Sequence, residues 1–339
     1  MTLGNETDSK SGSSFVSIRK VAALVIVGVA IYLIISFYMG FDILLANLLL
    51  IPWWTLPLMM GISLLNYIIR YIKWQYYLKR IGVSLPHKDS FSVFLAGFTL
   101  TTTPGKIGET VKGVFIHEID ETPIAKTAPV VISERVTDLL AMVLLAMIGF
   151  VTGLDMFNIL VVGGLTLIGA ILLSQSRFYN KILMKLTSIG PMKRFQDSVE
   201  LVEDTLTKTL SPKPMFVSTV ISVPGWFMEC IELWLLLSLL TESSLPSLSV
   251  TSLNLLLVAT FVHAASSAIG ALSFLPGGLG GYEAVSFALL IGFGFAEGVA
   301  GVATILVRLV TLWFSVIVGF IALGIVEARR KSKLELGST

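Results

Sequence analysis

The sequence LPGGLGGYE at residues 275–283 interrupts an apolar stretch that begins at Asn254. A second interruption, PGKIGE at residues 104–109, ends the apolar stretch 90–103. Proline removes a backbone donor, and glycine adopts conformations that a helix does not use. Each stretch is therefore predicted to form a helix that breaks and then resumes as a half-helix.

The composition predicts a membrane protein. Of the 339 residues, 55% are hydrophobic and 14% are charged, whereas a soluble domain carries about 25% charged residues. The net charge of +2 argues against a nucleic-acid partner. The single Cys230 excludes an intrachain disulfide and a cysteine-only metal cage, and the three histidines are far apart in sequence. We therefore expect neither a metal site nor a cofactor.

Six other segments are long and apolar enough to cross a bilayer, which takes about 20 residues. They are residues 21–40, 55–72, 128–151, 157–174, 215–240 and 296–323. The basic residues of the loops lie at the N-terminus, in 73–88, at Lys126, in 177–213 and in the tail. Because Lys and Arg stay on the cytoplasmic side, we predict a multi-pass plasma-membrane protein with both termini cytoplasmic. Each broken helix then enters and leaves on one side, which makes it re-entrant.

The domain organisation follows from this topology. A single transmembrane domain is predicted at 19–330, between a disordered cytoplasmic N-terminus at 1–18 and a cytoplasmic tail at 331–339. Within it, the first repeat covers about 88–151, a cytoplasmic amphipathic linker covers 175–213, and the second repeat covers about 252–324. In the linker, Phe195, Val199, Val202 and Leu206 share one helical face, which indicates a helix at the membrane surface.

The two broken helices belong to an internal repeat. Arg135 follows Pro104 by 31 positions, and Arg308 follows Pro276 by 32 positions. Three predicted crossings separate the copies, so one copy is inverted relative to the other. Inverted repeats with broken helices are typical of secondary transporters, which bind substrate where the breaks meet. The fold class predicted is therefore an all-α polytopic membrane protein with six spanning helices and two broken re-entrant helix pairs in an inverted repeat.

The candidate substrate site consists of the residues at the two breaks and the charges near them. The free N–H groups of a half-helix and the planar fork of arginine both suit an anion. The predicted substrate-binding residues are Pro104, Gly105, Lys106, Gly108, Glu109, Arg135, Pro276, Gly277, Gly278, Gly280, Glu283 and Arg308. The alternative is that Glu109–Arg135 and Glu283–Arg308 are structural ion pairs that lock the broken helices.

Further charges within the spans suggest ion coupling. Carboxylates outnumber arginines at depth, so one of Glu229, Glu232 and Asp138 is a possible site for a proton or Na⁺. His263 is expected to form hydrogen bonds inside the bundle rather than to bind a ligand. Arg70, near the inner end of its span, is expected to extend to the membrane interface.

These motifs, together with SERVTD at 133–138 and Trp313, resemble the lysylphosphatidylglycerol synthase transmembrane-region family over about residues 21–330. This family includes the flippase domain of the multiple peptide resistance factor and its stand-alone relatives. The resemblance implies a flippase or scramblase that moves an anionic, aminoacylated or polyprenyl-phosphate-linked lipid across the plasma membrane by alternating access. We expect no synthase domain after the last span, and Lys106 stands where the motif more often has arginine.

Two other functions are compatible with the sequence. One is a membrane-embedded lipid-modifying transferase, although no catalytic constellation is present and we expect no enzyme. The other is a scaffold for a cell-envelope glycosyltransferase. The expected partners are a membrane lipid, with a cytoplasmic synthase or glycosyltransferase and a second copy of the chain as further possibilities.

Overall fold

The computed structural model describes residues 49, 51–103, 105–149, 196–242 and 244–337. These parts are helical and contain no β-strand. The predicted spans 21–40 and 157–174, the N-terminal segment 1–18 and Pro104 lie outside the described residues.

The first half of the described chain consists of one long helix, a broken region and a second long helix. Helix α1 is Thr55–Arg80; α2 is His87–Ala96 and tightens into a 3₁₀ turn at Gly97–Leu100; a second 3₁₀ turn at Ile107–Thr110 leads into α3 at Val111–Asp120; α4 is Ile124–Thr127 and α5 is Val130–Gly149. The predicted break is therefore present, between Leu100 and Ile107.

The second half repeats this order after a helix in the linker. Helix α6 is Gln196–Leu210, α7 is Pro212–Glu242, α8 is Val250–Leu272, α9 is Gly281–Gly292 and α10 is Glu297–Arg308; a π-helical turn at Leu309–Trp313 joins α10 to α11 at Phe314–Gly337. The second predicted break lies between Leu272 and Gly281.

Four helical segments in the described parts of the chain are long and apolar enough to cross a membrane. They are Thr55–Arg80, Pro212–Glu242, Val250–Leu272 and the continuous segment Glu297–Arg329. Helix α5, at the predicted span 128–151, carries three charged residues in its first half, all of them in ion pairs. The chain is thus a helical membrane protein. Helix α7 packs against α1, α5 and α8.

Helix α1 shows why this bundle belongs in a bilayer. Its outward face exposes Leu65 and Ile68, at 52% and 48%, while its inward face buries Asn66, Arg70 and Lys73. A helix of a soluble protein has the opposite arrangement. Polar residues inside and apolar residues outside are expected when the surrounding solvent is hydrocarbon.

The linker helix α6 packs onto the bundle. Leu206 and Leu210 are buried against Val136 of α5, and Thr205 Oγ1 donates to the carbonyl of Lys126 at 2.9 Å. The predicted helical face is therefore present in the part of the linker that the structure describes, and it contacts the protein's own helices.

Candidate functional site

The two breaks meet in space. A Cβ atom on Gly277 would lie 3.5 Å from Cα of Thr102, so the backbones of the two broken regions are in contact. Beside this contact lies a cavity of about 240 Å³, and residues of both breaks line it, including Thr103 and Gly278. The sequence repeat correctly indicated that the breaks come together.

The first break is stabilised by its own threonine. Thr103 Oγ1 donates to the carbonyl of Leu100 at 2.7 Å and accepts from the amide of Gly108 at 2.8 Å. Gly108 cannot carry a side chain, because its Cβ would lie 2.6 Å from Cβ of Leu100. Gly105 and Lys106 have φ values of 60° and 55°, and this left-handed conformation is costly for lysine. The turn that results places Lys106 on the cavity wall.

The second break is held by an ion pair. Arg308 donates from Nε to Glu283 Oε1 at 2.8 Å and from Nη2 to the carbonyl of Gly277 at 2.7 Å. Glu283 Oε2 in turn accepts from the amide of Gly280 at 2.7 Å. Broken helices free backbone groups that hydrocarbon cannot satisfy. The predicted Glu283–Arg308 pair is present, and it satisfies two of these groups.

The first half contains a looser version of the same arrangement. Arg135 Nη2 lies 3.5 Å from Glu109 Oε2 and 3.2 Å from Asp138 Oδ2. Glu109 is fully buried and also accepts from Thr101 Oγ1 at 3.2 Å. The predicted Glu109–Arg135 pair is therefore present, but Arg135 divides its charge between two carboxylates.

Buried lysines complete the charge balance, and the sequence analysis missed them. Lys73 is in an ion pair with Asp138 and donates to Ser222 Oγ at 2.8 Å. Lys112 Nζ lies 2.5 Å from Glu134 Oε2 and 4.5 Å from the ring centroid of Trp74. The inference that carboxylates exceed cations at depth compared them with arginines alone. With these lysines included, that excess is no longer an argument for ion coupling.

The prediction that Arg70 extends to the membrane interface was wrong. Its side chain does not extend to the interface: the residue is 7% exposed, lines the cavity and places its guanidinium 5.0 Å from the ring centroid of Phe98. Its position one helical turn after the buried Asn66 was the signal that could have revealed it.

A second polar cluster begins at the cavity wall, which Glu229, His263 and Tyr282 line, and it includes Glu232, which does not line the cavity. His263 forms hydrogen bonds at both ring nitrogens: Nε2 lies 3.2 Å from Glu229 Oε2, and Nδ1 lies 3.0 Å from the hydroxyl of Tyr282. The predicted hydrogen bonds of His263 inside the bundle are therefore present. Glu232 is fully buried, and Ser63 Oγ donates to its Oε1 at 2.8 Å. Its Oε2 has no partner among the described residues.

The structure separates the predicted site residues into two sets. Those that line the cavity are Gly105, Lys106, Arg135, Asp138, Glu229, Gly277, Gly278 and Arg308. Those that the structure describes but that do not line the cavity are Gly108, Glu109, Glu232, Pro276, Gly280 and Glu283. In the described parts of the chain, no cluster of three or more His, Cys, Asp or Glu side chains is placed to hold a metal ion.

These features define a class of protein: a polytopic helical membrane protein with a charged cavity where two broken helices meet. The sequence profile of the lysylphosphatidylglycerol synthase TM region family matches residues 25–319, and the chain belongs to this family. Membrane lipid translocation is the activity that the flippase domain of this family implies.

Two archaeal proteins are similar over nearly their whole length. The UPF0104 membrane protein PH1989 of Pyrococcus horikoshii is 23% identical over 325 residues, which cover 87% of this chain and 94% of the relative. The UPF0104 membrane protein MJ1595 of Methanocaldococcus jannaschii is 23% identical over 339 residues, which cover 92% of this chain and 96% of the relative.

Proposed function

We propose that this protein is a lipid flippase or scramblase and that the cavity between the two breaks binds the lipid headgroup. The observation that carries the proposal is the cavity wall, which combines residues of both breaks with Arg70, Lys106, Arg135 and Arg308. Charges at this depth are costly unless they serve a structure or a substrate. Soluble ligand pockets measure about 300–1,000 Å³, so a cavity of about 240 Å³ suits a headgroup better than a whole lipid.

The apolar part of the lining fits the rest of a lipid. Leu272, Phe274 and Leu275 belong to the cavity wall at the second break, and their side chains are 58%, 66% and 45% exposed. We propose that acyl or prenyl chains lie along these residues while the headgroup enters the cavity. A lipid would then cross without exposing its headgroup to hydrocarbon.

The repeat suggests how access alternates. We propose six spans, two re-entrant pairs and an inverted repeat, with both termini in the cytoplasm of a plasma-membrane protein. The contact between Gly277 and Thr102 then lies between the two repeats. Rocking of one repeat against the other at this contact would open the cavity to each leaflet in turn.

Ion coupling is proposed at Glu232, with Glu229 between it and the cavity. No basic side chain of the described residues lies within 4 Å of Glu232, and one of its oxygens has no partner. A buried carboxylate in this setting is favoured when it carries a proton. Asp138 does not fit this role, because Lys73 and Arg135 both neutralise it.

The experiment that tests the proposal is lipid translocation in proteoliposomes. A fluorescent phospholipid in both leaflets is bleached from outside by dithionite, and the rate at which inner-leaflet label becomes accessible is measured. The blocking variant is Ala271→Trp, because Ala271 lines the cavity without contributing a charge. The control is Ile325→Trp on the exposed face of α11.

We expect wild type and Ile325→Trp to move the label and Ala271→Trp to be slowed at least about tenfold. Equal rates in all three proteins would show that the cavity is not the route. Translocation of no phospholipid or polyprenyl phosphate by the wild type would refute the transporter and favour the transferase or scaffold function. A lipid product of changed mass would identify the transferase.

A further inference from the structure

Two cations of the cavity wall have no ion-pair partner among the described residues. Arg135 and Arg308 are both in ion pairs, but Arg70 and Lys106 have no carboxylate within 4 Å in the part of the chain that the structure describes. The cationic groups of both side chains lie near aromatic rings: the Arg70 guanidinium lies over Phe98, and Lys106 Nζ lies 5.8 Å from the ring centroid of Trp226. An aromatic ring stabilises a cation but accepts no strong hydrogen bond.

The unsatisfied groups of the wall are mainly donors. Arg135 Nε and Trp226 Nε1 are buried and have no hydrogen-bond partner among the described residues. Both residues line the cavity, as do Arg70 and Lys106, which add five and three N–H donors respectively. Buried polar groups are normally paired, and orphaned donors point to a ligand that accepts.

The carboxylates of the wall are already occupied. Glu229 Oε1 accepts from Asn66 Nδ2 at 3.1 Å, and its Oε2 lies 3.2 Å from His263 Nε2. Asp138 Oδ1 accepts from Ser222 Oγ at 3.1 Å and is in an ion pair with Lys73, while its Oδ2 has no hydrogen bond among the described residues but lies 3.2 Å from Arg135 Nη2. An ammonium group entering the cavity would therefore meet two cations without an ion-pair partner and carboxylates that already have cationic or hydrogen-bonding neighbours. A phosphate, which carries several acceptor oxygens and at least one negative charge, would satisfy the free donors.

We propose that Arg70 and Lys106 form a phosphate subsite and that this chain selects lipids by a phosphate group in the headgroup rather than by an amino group. The assignment rests on the proposed function, because it places the headgroup in the same cavity. Arg70 is suited to a bidentate contact with two phosphate oxygens, and Lys106 supplies a second charge from the first break.

The experiment measures binding to the purified full-length chain in a neutral detergent. The probes are inorganic phosphate, phosphatidic acid, diacylglycerol and lysine amide, and the readouts are the thermal unfolding midpoint and tryptophan fluorescence. Phosphatidic acid and diacylglycerol differ in the phosphate alone, and lysine amide presents the amino groups alone. We expect phosphatidic acid to raise the midpoint saturably and the last two probes to have no effect.

Variants connect the binding to the two cations. Arg70→Gln and Lys106→Gln should each weaken phosphatidic acid binding about tenfold or more, as expected when a charged hydrogen bond is lost. Arg70→Lys keeps the charge but not the planar guanidinium, so its affinity for phosphatidic acid should lie between those of wild type and Arg70→Gln. If Arg70→Gln does not fold, Arg70→Lys replaces it in the test. The control is Lys208→Gln, since Lys208 is an exposed cation on α6.

Equal binding of phosphatidic acid and diacylglycerol would overturn the assignment. So would unchanged affinity in the Arg70 and Lys106 variants, or binding of lysine amide in preference to phosphatidic acid. Stabilisation by inorganic phosphate alone would show that the subsite serves a soluble anion and not a lipid. Translocation that persists in Arg70→Gln would overturn the subsite while leaving the transporter intact, so the two proposals fail separately.

Discussion

The ion pair between Arg308 and Glu283 determines how the second break survives inside a membrane. The substitution Arg308→Gln removes the contact to Glu283 at 2.8 Å and the contact to the carbonyl of Gly277 at 2.7 Å. The two side chains are only 10% and 3% exposed. Glutamine can replace one of these contacts but not the charge. Leaving a buried carboxylate without its partner costs about 3–5 kcal/mol, and we expect the variant to lose stability in this range.

A double-mutant cycle with Glu283→Gln isolates the pair. Because Arg308 borders the cavity, Glu283→Gln should cost less than Arg308→Gln, and the double variant should cost less than the sum of the single ones. The expected coupling energy is about 1–3 kcal/mol. The measurement is equilibrium unfolding in mixed micelles with increasing SDS, followed by tryptophan fluorescence.

The chain provides a matched control at its surface. Arg329 Nη1 and Asp89 Oδ1 are 2.7 Å apart, nearly the same separation, but these side chains are 44% and 27% exposed. Exposed pairs contribute about 0–1 kcal/mol, so the cycle of Arg329→Gln and Asp89→Asn should show a coupling below about 1 kcal/mol. If the two cycles agree within about 0.5 kcal/mol, the reasoning that the buried pair holds the break is refuted.

Three other changes test the surroundings of the site. Gly319→Ala should destabilise the protein by about 1–3 kcal/mol in the same unfolding assay, because its Cβ would lie 2.5 Å from the backbone nitrogen of Thr99. The control Gly324→Ala, whose Cβ would have nothing within 4 Å, should be neutral or stabilising. Equal effects of the two substitutions would contradict the close packing at Gly319. Lys73→Gln should cost about 3–5 kcal/mol because it leaves Asp138 short of a buried partner, and adding Asp138→Asn should recover part of the loss; no recovery would argue against the pair. Glu232→Gln should leave stability within about 1 kcal/mol, since its charge has no partner, and should remove any dependence of translocation on a pH gradient; a pH-driven rate that persists would exclude it as the coupling site.

Both breaks and the two motif ion pairs could be predicted from the amino-acid sequence alone. Proline and glycine act on the backbone locally, so LPGGLGG and PGKIG predicted both interruptions without knowledge of any neighbour. The nearly equal spacing from each break to Arg135 and Arg308 predicted which arginine belongs to which glutamate, and both pairs are present. Long apolar helices likewise follow from composition alone.

Which charges are buried, and which of them have no ion-pair partner among the described residues, depends on how the helices pack. Lys73 lies in a segment whose sequence resembles a basic cytoplasmic loop, and its burial depends on Asp138 and Ser222, which are 65 and 149 positions away in the chain. The sequence also does not reveal that Arg70 faces the cavity, whereas Arg308 is in an ion pair with Glu283. The physical reason is that the cost of a buried charge depends on the distances to its neighbours in space, and spacing along one helix does not reveal the helix packed against it.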